Sequence, residues 1–457
     1  MNAIRKPEGN SPQHQRDRRS RSVLSGAASA FLARALGIIV AIAVVPLTIG
    51  YLGSERYGVW VTISASLALL GFVDFGLEDS LTNALGRAYG RDERELARRY
   101  VSSAFYILCA VALILLATGW WIVPRLTAFL FPQSGSHYPE ITPAIAIAFV
   151  FFALRFPLLI TNRVLASYQE NAIANLWLVA GSIANLSAIL VVIRFHGGLP
   201  WLVLGSSGLG FLTSVACTIW LFGRHRPWLR PSLRAVESTI LLQLFSSGWK
   251  FFVIGAGWMI NTETDTLIIS HYLGPNSVTP FNITMQLFSV TMTVQILVMP
   301  SLWPAYTEAF ARNDFVWIRR AFRSNIRLSF LSAGFIVLIF VCFGQQIIRV
   351  WAGEAAVPPF ALLVWMGIWN LMLAQLYAFG CLLNAIARLR IRIVCGLITA
   401  VLNIALSIVL ARRFGIVGVT VATVIAFLVA DYLPISLYLR SLFREFRLRE
   451  NSSTEFA

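Results

Sequence analysis

The sequence predicts an all-α polytopic membrane protein with about twelve transmembrane helices arranged in two six-helix lobes. Of its 457 residues 57% are hydrophobic and only 13% are charged. Long apolar stretches recur along the whole chain, and arginines are concentrated in every second connection between them. A water-soluble domain of this composition could not cover its apolar surface with polar residues. We therefore expect the chain to be embedded in a lipid bilayer.

The apolar stretches have the length of membrane-spanning helices. A helix of about 20 residues crosses a hydrocarbon core of about 30 Å and satisfies its own backbone hydrogen bonds there. In chain order the predicted spans cover residues 24–50, 57–82, 100–122, 141–164, 171–194, 199–222, 243–271, 279–303, 326–348, 358–384, 391–411 and 415–439. Residues 1–23 are predicted to be a disordered cytoplasmic tail and residues 441–457 a second cytoplasmic tail.

The arginine clusters predict the orientation of the chain, because connections rich in lysine and arginine stay in the cytoplasm. The basic segments include Arg18 and Arg19, Arg98 and Arg99, Arg226 and Arg230, Arg319 and Arg320, Arg388 and Arg390, and Arg444 and Arg447. The connections between them are poor in positive charge, with Arg412 and Arg413 as the exception. Both termini are therefore predicted to be cytoplasmic.

The motifs absent from the sequence narrow the function. The net charge of +16 comes from clusters beside the spans, so we expect no nucleic-acid partner. No connection is long enough for a soluble catalytic domain, and the sequence contains no phosphate-binding G-x-x-x-x-G-K-[ST] loop. The five cysteines lie in apolar spans without metal-ligand spacing. We expect a carrier rather than an enzyme, with no metal and no cofactor.

The two halves of the chain repeat each other. Tyr51 and Tyr272 begin matching Tyr-Leu-Gly turns, and Arg98 matches Arg319 in the basic loop that follows. Both pairs are 221 residues apart (272 minus 51 and 319 minus 98). This predicts lobes at 24–234 and 235–440, related by an axis along the membrane normal, as in carriers that bind substrate between lobes.

Charges inside the spans are the candidate functional residues, because ionisable groups in hydrocarbon are costly and usually face protein or a water-filled cavity. Arg34 lies roughly 15 Å inside the first span and Arg155 about 21 Å from the outer end of the fourth, at 1.5 Å per residue. In the seventh span Lys250, Asn261 and Asp265 fall on one helix face. An equally consistent interpretation places Lys250 at the cytoplasmic membrane interface and pairs Asp265 within the helix bundle.

Two further carboxylates are candidates for ion coupling. Asp431 lies inside the last span, and Asp74 lies near the cytoplasmic end of the second, where simple solvation competes with a functional role. At the repeat offset, Asp74 corresponds to Gln295 and Asp265 corresponds to Val44. The charged positions are therefore not duplicated, although the surrounding sequence is.

Four segments resemble one known family. They are YLGSERYGVW from residue 51, FVDFGLEDSLTNALGR from residue 72, NTETDTLIISHYLGPNSV from residue 261 and RRFGIVGVTVATVIA from residue 412. Together they make the chain similar to the polysaccharide and O-antigen (Wzx-like) flippases of the multidrug/oligosaccharidyl-lipid/polysaccharide (MOP) exporter superfamily. The resemblance implies a twelve-helix, MATE-like carrier in the bacterial inner membrane that moves an undecaprenyl-pyrophosphate-linked oligosaccharide to the outer leaflet, with a glycan polymerase and a chain-length regulator as partners.

This substrate suits the buried cations, because guanidinium groups bind phosphate oxygens in bidentate geometry. We expect Arg34, Arg155 and Lys250 to receive the pyrophosphate, and Asn261 and Gln295 to contact sugar. Asp74, Asp265 and Asp431 are the predicted coupling residues. Three alternatives stay open: a drug or cation exporter with an acidic cavity, a glycan polymerase or ligase with a large outer loop, and a peptidoglycan-precursor flippase with additional helices.

Overall fold

The computed structural model describes residues 12–71, 76–132, 139–386 and 388–454. It describes side chains from Leu36 to Leu448, apart from positions 38, 41, 79, 247, 250, 251, 253–258, 261, 294, 297, 300, 301 and 304. These residues form helices and short connections without a strand. The helices are α1 (Pro12–Leu70), α2 (Leu77–Gly90), α3 (Arg94–Leu130), α4 (Ile141–Arg155), α5 (Leu159–Ser167), α6 (Asn171–Arg194), α7 (Leu199–Trp220), α8 (Ser238–Leu273), α9 (Pro275–Ser289), α10 (Thr293–Ala311), α11 (Phe315–Ala352), α12 (Phe360–Ala385), α13 (Leu389–Phe427) and α14 (Leu433–Thr454).

The helices coincide with the predicted spans, so the all-α polytopic fold is confirmed. Seven helical segments of the described chain are long and apolar enough to cross a membrane. The last of these, Leu389–Leu448, contains two predicted spans, because α13 bends at Gly415. In the same way α1 carries the first span and part of the second, separated by a bend at Gly53.

Two helices are longer than the spans they contain. α1 begins at Pro12, inside the segment predicted as a disordered tail, and α14 continues to Thr454 in the second predicted tail. A helix already formed in the membrane adds polar residues at little cost, since each new residue gains a backbone hydrogen bond without a new nucleation step.

Turn geometry supports the internal repeat. Gly53 has φ 78° and ψ 169°, and Gly274, 221 positions later, has φ 84° and ψ 165°. These are conformations that a side chain with a Cβ rarely adopts. At the same offset, Asp92 and Asn313 have φ 56° and 58°, and the five backbone hydrogen bonds around each turn join equivalent residues. The two basic loops therefore have one backbone structure.

The chain divides into two compact units, with boundaries that differ from the predicted lobes. The first unit contains the described residues up to Thr48, together with Gly71–Leu126 and Pro139–Phe252. The second unit contains Ile49–Leu70, the described residues between 127 and 138, and the described residues from Val253 onward. The lobe boundary at 234/235 stays a prediction.

Contacts at Ser54 and Gly58 explain why residues 49–70 group with the second unit. Thr279 donates its hydroxyl hydrogen to the Ser54 carbonyl at 2.6 Å. The backbone at Gly58 approaches that of Pro275 so closely that a Cβ would lie 1.9 Å from the Pro275 carbonyl oxygen. Only glycine permits this approach.

Candidate functional site

A polar cavity of about 270 Å³ lies within the first unit, between α4, α5, α6 and α7. Besides Arg155 its described lining is made of hydroxyl, amide, apolar and small residues, and it contains no acidic residue. The polar members are Thr161, Asn162, Ser182, Asn185, Ser206, Thr213 and Ser214. Such a lining offers hydrogen bonds to a polar ligand and one full positive charge.

The local sequence explains the shape of this cavity. Arg155 is the last residue of α4, and a short 3-10 turn containing Pro157 separates it from α5. Proline lacks the backbone N–H that would continue the α-helical hydrogen-bond ladder, so the ladder is interrupted here. Gly181 and Gly210 supply walls without side-chain bulk. The interruption between α4 and α5 therefore forms part of the cavity wall.

Arg155 and Asn185 both have unused polar capacity in the cavity. Arg155 is exposed, and within the described chain no carboxylate forms an ion pair with its guanidinium. The Asn185 side-chain oxygen is buried and has no hydrogen-bond partner among the described residues. By contrast, Ser182 and Ser214 donate to carbonyls of their own helices. Within the described lining, the cavity therefore presents an unpaired cation and a buried unpaired acceptor.

A buried carboxylate lies within the second unit. Asp265 on α8 is 6% exposed, and all three of its described hydrogen-bond partners come from α13. Its Oδ1 accepts from Asn403 Nδ2 at 3.2 Å and from Ser407 Oγ at 3.3 Å, and its Oδ2 contacts Thr423 Oγ1 at 2.8 Å. The helix α13 bends at Gly415 between Ser407 and Thr423, which brings both of its arms to Asp265.

Each of the two hydroxyls in this cluster faces two acceptors, so two of the contacts lack a hydrogen. The Ser407 hydroxyl faces both Asp265 Oδ1 and Asn403 Oδ1, and the Thr423 hydroxyl faces both Asp265 Oδ2 and the Val419 carbonyl. Each hydroxyl has a single hydrogen to donate. A proton on the carboxyl group would supply one of the missing hydrogens, and no cationic side chain among the described residues pairs with Asp265.

Two other predicted residues of the second unit have different surroundings. Gln295 is 2% exposed and accepts from Ser329 Oγ at 2.9 Å, so it packs between α10 and α11 and lines none of the cavities described here. Asp431 lies in a π-helical turn, Leu428–Tyr432, and interacts electrostatically with Arg392. Arg392 donates to Asn384 at 2.6 Å.

The remaining predicted site residues lie outside the described part of the structure. The side chains of Arg34, Lys250 and Asn261 and the whole of Asp74 belong to this set. Arg155 lies in the first unit, whereas Asp265, Gln295 and Asp431 lie in the second. The assignment of all these residues to a transport site therefore stays a prediction.

The polar partners of both sites were not predicted from the sequence. Asn185, Asn403 and Thr423 are uncharged, and such residues within apolar spans are common as ordinary packing residues. One signal was available for α13: Asn403, Ser407 and Thr399 recur every four residues, which places a polar stripe on one helix face.

Comparisons with known proteins agree with this architecture. Residues 258–409 match the MatE family profile. A protein of Yersinia pseudotuberculosis named as an O-antigen export protein is 23% identical over 436 residues, covering 90% of this chain and 94% of the relative.

Two solved structures share the fold. An inward-facing multidrug resistance MATE family transporter of the MOP superfamily aligns with a TM-score of 0.73 at 15% identity, covering 91% of this chain and 95% of that one. The lipid II flippase MurJ in an inward closed conformation aligns with a TM-score of 0.71 at 16% identity, covering 93% and 90%. The chain is therefore a polytopic membrane protein with the fold of MOP superfamily transporters, and its residues 258–409 match the MatE family.

Proposed function

We propose that this protein flips a lipid-linked oligosaccharide across a membrane, with an undecaprenyl-pyrophosphate anchor as its lipid. The observation that carries the proposal is the cavity of the first unit, where Arg155 is the one charged lining residue among many hydroxyl and amide groups. An unpaired guanidinium suits a pyrophosphate, and neutral polar groups suit sugar hydroxyls. The name of the Yersinia relative and the fold shared with a lipid II flippase support the same substrate class.

A drug or cation exporter fits this cavity less well. A cationic substrate would be repelled by Arg155 and would need a carboxylate within the lining, and none of the described lining residues is acidic. The match to the MatE profile covers residues 258–409, whereas the cavity lies in the first unit. The profile match therefore does not bear on the chemistry of the cavity.

Proteoliposomes provide the test. A pyrophosphate-linked sugar lipid carrying a dithionite-reducible fluorophore on the sugar is incorporated, and the fraction that becomes accessible to dithionite reports flipping. Loss of a charge-assisted hydrogen bond costs about 1.5–3 kcal/mol. We therefore expect Arg155→Ala to slow flipping about tenfold or more, because 1.4 kcal/mol corresponds to a factor of ten.

Arg125→Ala is the matched control. Arg125 is also in the first unit, but its guanidinium lies 3.7 Å from the Trp121 ring centroid and does not line the cavity. It should flip the lipid at the wild-type rate. Equal rates for Arg155→Ala and wild type would contradict the headgroup assignment. Export of ethidium without flipping of the sugar lipid would contradict the proposed function itself.

Coupling belongs to the same proposal, with Asp265 as the residue that takes up and releases a proton. Its carboxyl group is buried among neutral partners whose two hydroxyls each face a second acceptor, so protonation and deprotonation change the hydrogen bonding between α8 and α13. Asp431 and Asp74 are the alternative coupling residues from the sequence. Flipping that depends on sodium at constant pH would contradict the proton as the coupling ion, while leaving Asp265 as the coupling residue.

The cellular setting completes the proposal. We place the protein in the bacterial inner membrane with both termini in the cytoplasm, because the basic connections alternate along the chain. Cysteines introduced into the turns at 91–93 and 312–314 should then react with membrane-impermeant reagents only from the cytoplasmic side. A glycan polymerase and a chain-length regulator are the expected partners, and both are testable by co-purification from a glycan-producing strain.

A further inference from the structure

The two repeated basic loops have the same backbone but different side chains. In the first unit, Tyr89 and Arg94 flank the turn at Asp92; in the second unit, the equivalent positions are Phe310 and Phe315. Since the fold of the turn is the same in both copies, the turn itself requires neither the tyrosine nor the arginine.

In the second unit the cluster is closed and apolar. Phe315 is 4% exposed and stacks on Phe446 of α14, with ring centroids 4.5 Å apart. Phe310 packs against both, at 6.2 and 6.1 Å. Phe446 is itself 2% exposed, so the C-terminal helix fills the space beside this turn.

In the first unit the corresponding cluster is open and polar. A cavity of about 120 Å³ is lined by aromatic residues and arginines, among them Tyr89, Arg94, Tyr168, Arg226 and Trp228. Tyr89 is 47% exposed and meets Tyr168 edge-on at 4.8 Å. The Arg226 guanidinium lies 4.0 Å from the Tyr168 ring centroid, and that of Arg94 lies 5.7 Å from the centroid of Trp228.

We infer that this cavity, here named the loop pocket and defined by Tyr89, Arg94, Tyr168, Arg226 and Trp228, binds a neutral sugar residue. If its only task were to hold the loop, phenylalanines would serve, as they do in the second unit. Instead the first unit combines aromatic rings with planar cationic groups at a solvent-open cavity. The C–H face of a pyranose packs on an aromatic ring, while its hydroxyls bond to charged groups around the rim.

The charges of the loop pocket favour a sugar over a phosphate. Arg226 pairs with Glu170 at 2.6 Å, and Arg94 lies 3.7 Å from Asp92. Both arginines are thus balanced by carboxylates, and Glu93 also lines the cavity. A bound anion would be repelled by these carboxylates, whereas hydroxyl groups can donate to them and accept from the arginines.

The inference rests on the proposed function for its biological meaning, because the loop pocket lies at the predicted cytoplasmic end of the first unit. An oligosaccharide waiting to be flipped is on that side. The pocket therefore recognises a sugar of the glycan, apart from the pyrophosphate assigned to Arg155.

Binding of free glycosides tests the pocket without transport. Purified full-length protein in detergent is mixed with methyl glucoside, methyl galactoside or methyl N-acetylglucosaminide, and saturation-transfer NMR reports which sugar protons contact the protein. Arg94→Phe introduces the residue found at the equivalent position of the second unit, so the turn can retain its structure. We expect it to weaken binding of the preferred glycoside about tenfold, which corresponds to about 1.4 kcal/mol.

Arg99→Phe is the control, since Arg99 is a partly exposed arginine on the same helix that does not line the loop pocket. It should bind as wild type does. A second variant, Tyr89→Ala, should also weaken binding, and the protons on the C–H face of the glycoside should then receive less saturation from the protein. No glycoside binding by the wild type, or equal binding by Arg94→Phe and Arg99→Phe, would overturn the inference, as would binding of inorganic phosphate in preference to all three glycosides. Intact binding with no flipping would instead count against the proposed function.

Discussion

Replacing Asp265 by asparagine tests whether the buried carboxyl group carries a proton in the folded protein. A protonated Asp265 donates from Oδ2 to Thr423 Oγ1, which leaves the Thr423 hydrogen free for the Val419 carbonyl at 3.1 Å. The amide nitrogen of asparagine can donate the same bond. Oδ1 then still accepts from Asn403 and Ser407.

A neutral and an ionised Asp265 predict changes in the free energy of unfolding that differ enough to be measured. If the carboxyl group is neutral, Asp265→Asn keeps every hydrogen bond, and its free energy of unfolding should change by no more than about 1 kcal/mol. If the group is ionised, each of its three bonds is a bond to a charge, worth about 1.5–3 kcal/mol, and the substitution weakens all three. Thr423→Val, which leaves a buried carboxyl oxygen unsatisfied, should cost about 1–3 kcal/mol in either case.

Thermal unfolding of the purified protein ranks these variants. We expect Asp265→Asn to unfold near wild type and Thr423→Val to unfold at a lower temperature. Thr420→Val is the control, because Thr420 is equally buried at 2% exposure and its hydroxyl bonds only to the Ile416 carbonyl. In proteoliposomes Asp265→Asn should lose the response of flipping to a pH gradient. An Asp265→Asn protein that unfolds well below Thr423→Val, or that still responds to the gradient, would refute this reasoning.

Two glycines give further predictions. Gly58→Ala should destabilise the second unit by about 1–3 kcal/mol, because its Cβ would meet backbone that cannot rotate away, whereas Gly86→Ala has open space and should be neutral or stabilising; thermal unfolding compares the two. Gly380→Ala places a Cβ 2.9 Å from the Arg392 guanidinium carbon and should displace it from Asn384. Asn384→Ala should then cost much less stability in the Gly380→Ala background than in the wild type, which a double-mutant cycle measures as coupling between the two positions; additive effects would contradict this contact.

The helices and turns were predictable from sequence, but the partners of buried groups were not. Span length, loop arginines and the repeated Tyr-Leu-Gly turn depend on short segments, so a single sequence contains them. The Asp265 cluster joins positions that are 138 to 158 residues apart. The bend at Gly415 lies at the predicted break between spans 391–411 and 415–439, but no local pattern shows that Asp265 contacts both arms of α13. The path of residues 49–70 likewise depends on a contact with Pro275 that no local pattern encodes.

The differences between the repeated halves indicate where function can reside. Equivalent positions must satisfy the same backbone, so a charge present in only one copy is not required by the fold. Asp265 corresponds to Val44, which is buried, and Arg94 corresponds to Phe315. The turns that end α5 and α12 match with an offset of 218 (386 minus 168 and 388 minus 170), which pairs Arg155 with the buried Leu373. The residues proposed for coupling, headgroup binding and sugar recognition thus each have an apolar counterpart in the other half of the chain. Substituting the counterpart's residue at each position therefore separates a functional role from a structural one.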